Sequence, residues 1–216
     1  MHEIIPGLYA SEPEPLVFAP DTLIRTFLLR GVGGNTLVYA NDRTAEEKGE
    51  IEALGGLRRH VLGHWHEASM GAADIAERLG APVLCHEADR AKAEADVPIA
   101  ETFDQRRALA ADLEAISIPG HTRGSAAYLW AGPEHRCLFT ADSLLVGDDG
   151  WYAVVLGESD RQSYIKSLQT LRDLEFDLLI PWGASEGAEP ATPVDRDTAR
   201  RELDAVIRRL ENGNNH

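Results

Sequence analysis

Two histidines one residue apart, His64 and His66 in "LGHWHEAS", can turn both imidazoles toward one ion. Neutral imidazole ligates zinc, iron and manganese, so the chemistry this spacing offers is that of a bound metal. Alone the pair carries little weight in a chain with 8 histidines. Two further stretches add to it: "IPGHTRGS" sets His121 in a glycine-flanked turn, and "LFTAD" ends in Asp142. All four residues follow apolar runs that read as strands, and ligands in α/β proteins bind where strands end.

The elements that must carry these residues can be read in order. "LIRTFLLRG" (23–31) and "NTLVYA" (35–40) are strands joined through the "GVGG" turn. Thr44 with Glu47 forms a capping box, which predicts a helix ending near Gly55-Gly56. "LRRHVL" (57–62) is a strand running into the His64–His66 loop, "GAADIAERLG" an amphipathic helix, and "APVLCHE" a buried strand. The Ala-, Glu- and Arg-rich span 87–112 reads mainly as helix, with "DVPIAETFD" as a loop. "LEAISIPG", "SAAYLW" and "RCLFTAD" are three strands in succession; Gly132-Pro133 turns the chain between the last two. Ser159 with Gln162 opens a helix, "DLLIP" is a last strand, and a C-terminal helix with Ala199, Leu203, Val206, Ile207 and Leu210 on one face ends at "NGNN". Strands followed by helices, twice over, predict an α/β architecture of two similar helix-on-sheet layers.

The remaining histidines have plainer readings. His2, His60, His135 and His216 have no partner in view and read as surface or structural groups; His86, between a buried strand and a helix start, reads as a capping or supporting group rather than a ligand. With 216 residues, the chain is expected to form a single domain, 1–216. A net charge of −15 argues against nucleic acid as a partner, since phosphate binding needs clustered Lys and Arg. No run of about 18 apolar residues predicts a membrane span, and the first residues lack the pattern of a secretory signal. The expected location is cytoplasmic, where Cys85 and Cys137, each inside an apolar run, stay reduced.

With these motifs in place, the chain resembles the metallo-beta-lactamase superfamily, which includes glyoxalase II and many other hydrolases. "GNTLVYA" is similar to that family's early strand, "VLGHWHEASMGAADI" to its H-x-H-x-D-H loop, "IPGHTRGS" to its P-G-H-T-x-G-S turn, "LFTADSLL" to its strand ending in a bridging aspartate, and "LLIPWGAS" to its last strand. The resemblance spans nearly the whole chain. It implies a four-layer αβ/βα sandwich with the site in a groove at one edge of the two sheets.

Carried over residue by residue, the resemblance implies that His64, His66 and His121 hold a first metal and that Asp142 matches the bridging aspartate. The family's second metal takes the loop aspartate and histidine and a late histidine; here those positions are Ala68, Ser69 and Gly183. At most one divalent metal ion per chain is therefore expected, zinc before iron. The leading expectation is a mononuclear metal-dependent hydrolase acting on a small molecule. Its general base is unassigned: Glu67 and Glu186 are near in sequence, although both read first as solvated loop acids. An iron site on His64, His121 and Asp142, like that of the family's persulfide dioxygenases, is an alternative. So is a catalytically inactive member that binds a ligand or partner. Trp65 and Trp182 flank the ligand loops as groove walls or packing, and Tyr152 and Arg123 are polar groups able to meet a substrate where the fold brings them to it. A β-lactam substrate and a nuclease role are disfavoured by the missing second-metal residues, and a homodimer is left open.

Overall fold

The computed structural model describes residues 1–214; His216 and the final Asn215 of "NGNN" lie outside the described residues. Nine strands make up the first half of the chain. They are β1 (His2–Ile5), β2 (Leu8–Ala10), β3 (Glu14–Leu16), β4 (Ala19–Ile24), β5 (Phe27–Leu29), β6 (Thr36–Val38), β7 (Arg59–Val61), β8 (Val83–His86) and β9 (Ile99–Phe103). The second half holds β10 (Arg107–Ala110), β11 (Leu113–Ser117), β12 (Ala126–Ala131), β13 (Arg136–Ala141), β14 (Leu145–Gly147), β15 (Gly150–Tyr152), β16 (Leu178–Pro181), β17 (Gly183–Ser185) and β18 (Thr192–Pro193). The helices are α1 (Lys48–Ala53), α2 (Ala72–Leu79), α3 (Arg90–Ala93), α4 (Arg161–Arg172) and α5 (Arg196–Glu211).

Two sheets dominate. One runs β1-β2-β5-β6-β7-β8-β9, the other β10-β11-β12-β13-β16-β18. Strand alternation sorts their side chains into layers, because successive residues point to opposite faces. Phe27 and Leu29 of β5 face the second sheet while Leu28 faces α1 and α2; Cys137, Phe139 and Ala141 of β13 face the first sheet while Leu138 faces α4 and α5. The result is the four-layer αβ/βα sandwich. Three aromatic hydroxyl and edge contacts join its halves at the centre: Tyr39 Oη donates to the Ile180 carbonyl at 2.8 Å, Tyr128 Oη donates to the Leu62 carbonyl at 2.7 Å, and Phe27 meets Phe139 edge to face. Cys85 and Cys137 are free, buried, and in different layers.

Four local expectations are corrected. The span 87–112 is not mainly helix. It carries a short 3-10 turn at Glu87–Asp89, the one-turn α3, and then the edge strands β9 and β10. Pro98 ends the helical stretch, and pairing with β8 and β11 overrides the helix propensity of Ala, Glu and Arg. The 23–31 run is two strands: β4 pairs with β3 and β17 in a small separate sheet, while β5 joins the large one. Thr44 does not cap an α-helix; it opens a 3-10 turn whose amide and hydroxyl are both held by Asn41 Oδ1, and α1 starts at Lys48. The cap of α4 is Asp160, which accepts from the Ser163 amide at 2.6 Å, while Ser159 Oγ donates to the His121 carbonyl.

His60 is structural, as expected, and fully buried, with Nε2 2.7 Å from the Tyr39 carbonyl. Burial pushes its pKa down to about 4, only partly offset by that carbonyl. The unfolded chain therefore takes up a proton near pH 6.5 that the folded chain refuses, so stability holds above that pH and falls as pH drops toward 4. Urea titrations from pH 7 to 4 are expected to show a loss of up to about 3 kcal/mol assignable to this residue. His60→Gln, which keeps a donor for Tyr39, is expected to remove that slope; an unchanged slope would show that other groups carry it.

Candidate metal centre

Each presumed ligand sits just past a strand. His64 and His66 follow β7, His64 capping the 3-10 turn Trp65–Ser69 and His66 lying within it; His121 lies in the turn between β11 and β12, and Asp142 directly follows β13. The turns converge at one edge of the sandwich, where the nitrogens of His64, His66 and His121 lie within 4.8 Å of one another. The imidazole centroids are 4.8 to 5.4 Å apart. Asp142 Oδ2 completes the group, 3.4 Å from His64 Nε2 and 3.7 Å from His121 Nε2.

The rings are held from behind. Glu67 Oε1 lies 2.8 Å from His64 Nδ1 and also accepts from the Gly63 and His64 amides. The Val154 carbonyl accepts from His121 Nδ1 at 2.8 Å. A hydrogen bond on Nδ1 fixes the tautomer and leaves Nε2 facing the centre. Those two atoms, His64 Nε2 and His121 Nε2, are buried without a hydrogen-bond partner among the described residues. A buried nitrogen left in this state costs about 1–3 kcal/mol, so the pair fits a cation. The electrostatics agree. Burial opposes a charge on His64, but the Asp142 and Glu67 carboxylates on either side outweigh it and raise its pKa to about 10. Burial and then the neighbouring imidazoles hold His66 down at about 4, and His121 is lowered for the same reasons.

The backbone around the centre is tightly specified. Gly120 has φ 156°, and a Cβ there would stand 2.5 Å from the Tyr164 Cα, so α4 packs directly onto the His121 turn. Ala141, just before Asp142, holds a left-handed φ of 48°, and its amide donates to Tyr39 Oη, which fixes where the carboxylate emerges.

The positions matching a second metal offer little to an ion. Ala68 is buried in the apolar layer beneath α2, and Ser69 Oγ donates to the His66 carbonyl. At Gly183 a Cβ would meet Thr22 Cγ2 at 2.8 Å, so Thr22 already fills the space a side chain there would need.

Other sequence candidates separate clearly. Glu67 is fully buried behind His64 rather than solvated, because the Gly63 and His64 amides and the His64 ring supply its hydrogen bonds; it therefore does not reach the groove. Glu186 is exposed on β17's outward turn. Trp182 walls the groove and donates to the Ala40 carbonyl, whereas Trp65 packs on His66 at 3.9 Å between centroids, away from the groove lining. Tyr152 lines a separate hollow with Asp148 and Arg209, and Arg123 lines a neighbouring one beside Glu158. His86 accepts from the Ala88 amide, the capping role expected of it.

Sequence reasoning missed two acids. Glu158 Oε1 lies 3.6 Å from His66 Nε2 and pairs with Lys92. Asp89 is buried at 2% exposure and accepts from the Trp65 and Gly124 amides and the Thr122 hydroxyl, tying one ligand loop to the other. Their partners lie far away in sequence, so no spacing pattern could have found them.

Comparison with known proteins bears on the whole arrangement. The model of the metallo-beta-lactamase superfamily matches residues 56–183, more than half of the chain. A hydroxyacylglutathione hydrolase of Anaeromyxobacter dehalogenans is 34% identical over 122 residues, 55% of this chain and 45% of that protein, so the chain matches a little under half of that relative's length. Among solved structures, a metallo-beta-lactamase from Pontibacter korlensis superposes with a TM-score of 0.73 at 17% identity, covering 98% of both chains. A class B3 di-zinc metallo-beta-lactamase from an Alaskan soil metagenome gives a TM-score of 0.64 at 19% identity over 88% of this chain and 87% of its own. At such identities the likeness is one of fold.

Proposed function

The chain belongs to the metallo-beta-lactamase superfamily, and from that premise we propose that it is a hydrolase of a small molecule, working with one divalent metal ion held by His64, His66 and His121 with Asp142 beside them. Zinc is preferred over iron because three histidines with an open position make a catalytic zinc set, whereas the iron triad takes two histidines and a carboxylate. The observation that carries this reading is the pair of buried, partnerless Nε2 atoms on His64 and His121, both facing the Asp142 carboxylate. A single ion is favoured because Ala68, Ser69 and Gly183 bring no further imidazole or carboxylate.

A zinc ion held by His64, His66 and His121 would supply a Lewis acid and lower the pKa of a water to about 7. The chain's own residues do the rest. Glu67 and the Val154 carbonyl lock the His64 and His121 rings, so their Nε2 atoms need not reorganise during turnover. Asp142 Oδ2 is the carboxylate oxygen at the groove floor and accepts a hydrogen bond from the attacking water. Trp182 and Leu16 keep bulk solvent from that floor. In the net reaction the water oxygen bonds to the acyl carbon, the bond to the leaving oxygen or sulfur breaks, and a proton passes to the leaving group.

Elemental analysis of protein refolded with excess zinc is expected to give about one ion per chain. His121→Ala is expected to lose it, and wild-type melting should drop on chelation because a ligand bound only to the folded state stabilises it, by about 2.7 kcal/mol at one hundred times its Kd. Protein that stays metal-free, or that binds zinc equally well as His121→Ala, would overturn the assignment. Two ions per chain would overturn the single-metal reading alone.

A further inference from the structure

The groove above the imidazoles encloses about 330 Å³. Its polar lining residues are His66, His121, Asp142 and Ser69. Its walls are Leu16, Phe18, Met70, Val154, Leu156 and Trp182, and among the described residues no lysine or arginine lines it. Lys92, the cation packed on the Trp65 ring at 4.4 Å, is already paired with Glu158.

The walls are also partly open to water. Phe18 is 83% exposed at the tip of the β3–β4 hairpin, and Leu156, also on the lining, is 40% exposed. An apolar group entering the groove would cover both, and removal of apolar surface from water is the driving force for its binding. A carboxylate or phosphate carried on that arm would meet the opposite: apolar walls that offer it neither a lysine nor an arginine.

Resting on the hydrolase reading, we propose that the substrate is a carboxylic ester or thioester whose acyl arm is uncharged and apolar, laid along Phe18, Leu156 and Trp182 with its carbonyl over Asp142. At about 30 Å³ per water-sized group, the groove holds about ten non-hydrogen atoms, so the arm is short.

The test uses zinc-loaded full-length protein and p-nitrophenyl esters of acetate, butyrate and hexanoate, together with the glutarate half-ester as a carboxylate-capped arm. Because each buried methylene is worth about a fourfold gain, kcat/KM is expected to rise about sixteenfold for every two carbons entering the groove. The carboxylate-capped arm is expected to fall at least about tenfold below butyrate. Phe18→Ser is expected to lower hexanoate turnover more than acetate turnover. A flat dependence on chain length, an equal loss on all esters in Phe18→Ser, or a capped arm as good as butyrate would overturn the proposal.

A second readout needs no turnover. Hexanamide titrated against the protein is expected to move the Trp182 indole N–H and Met70 methyl NMR signals, whereas adipamate, of the same length with a terminal carboxylate, is not. If the amide binds so but no ester is hydrolysed, the hydrolase reading fails and the apolar-arm assignment stands. If esters are hydrolysed with neither chain-length dependence nor those shifts, the reverse holds.

Discussion

Asp89→Ala is expected to lower the melting temperature by about 10 °C and to weaken zinc binding about 10- to 100-fold. The carboxylate is buried and accepts three hydrogen bonds: from the Trp65 amide at 3.1 Å, the Thr122 hydroxyl at 2.7 Å and the Gly124 amide at 2.8 Å. Removing it leaves these donors facing a void, and bonds to a charged group are worth about 1.5 kcal/mol or more each, at least about 4.5 kcal/mol together. For a chain of this size 1 kcal/mol moves melting by about 2–4 °C. The effect on metal follows from what the donors belong to. Trp65 separates the two histidines of one ligand loop, and Thr122 follows the histidine of the other, so Asp89 sets the distance between the loops. Asp89→Asn makes the argument sharper. Oδ2 serves Trp65 and Thr122 while Oδ1 serves Gly124, so an amide keeps at most two of the bonds and turns a donor toward the third. Its loss should fall between wild type and alanine. Calorimetry and a competitive titration with a chelating dye measure both quantities; an alanine variant that melts within about 2 °C of wild type, or that binds zinc unchanged, would refute the clamp.

That clamp also marks the boundary of what the sequence makes legible. That His64, His66, His121 and Asp142 come together was readable because each follows a strand that announces itself by an apolar run, and the fold then gathers strand ends at one edge. The layered architecture was readable for the same reason, since β7, β8, β11, β12, β13 and β16 all stand where the apolar runs are. Residues 99–110 were not, because Ala, Glu and Arg favour helix locally and only the neighbouring strands β8 and β11 make them pair. Glu67 misled in the other direction. A glutamate in a loop is ordinarily solvated, and nothing in "HWHEAS" says that its carboxylate folds back onto the Gly63 and His64 amides. Asp89 and Glu158 meet partners distant in sequence, and Glu67 turns inward against the habit of its residue type, so the candidate ligands can be read from sequence and the groups that hold them cannot.

Gly63→Ala should cost about 3 kcal/mol or more, and Ala141→Gly in the same chain should restore a large part of it. Gly63 links β7 to the first histidine, and a Cβ there would stand 2.4 Å from the Ala141 Cβ, 2.8 Å from Glu67 Oε1 and 3.3 Å from Tyr39 Cε1. None of these neighbours can withdraw cheaply. Ala141 is held by its amide bond to Tyr39 Oη, Tyr39 by its own bond to the Ile180 carbonyl, and Glu67 by the His64 ring. The two sheets therefore meet here with room for one methyl group, which the chain places on residue 141. Moving it to residue 63 exchanges one buried methyl for another. It also relieves Ala141 of its left-handed φ of 48°, a conformation that costs an alanine about 1–2 kcal/mol. The contact with Glu67 Oε1 remains, so rescue is partial, and the zinc affinity should recover less than the stability because His64 is still pushed from behind. The measurement is a double-mutant cycle by urea unfolding. A coupling of about 1–3 kcal/mol in the rescuing direction is expected. Additive losses would mean that the sheets part at this point instead of competing for the same space.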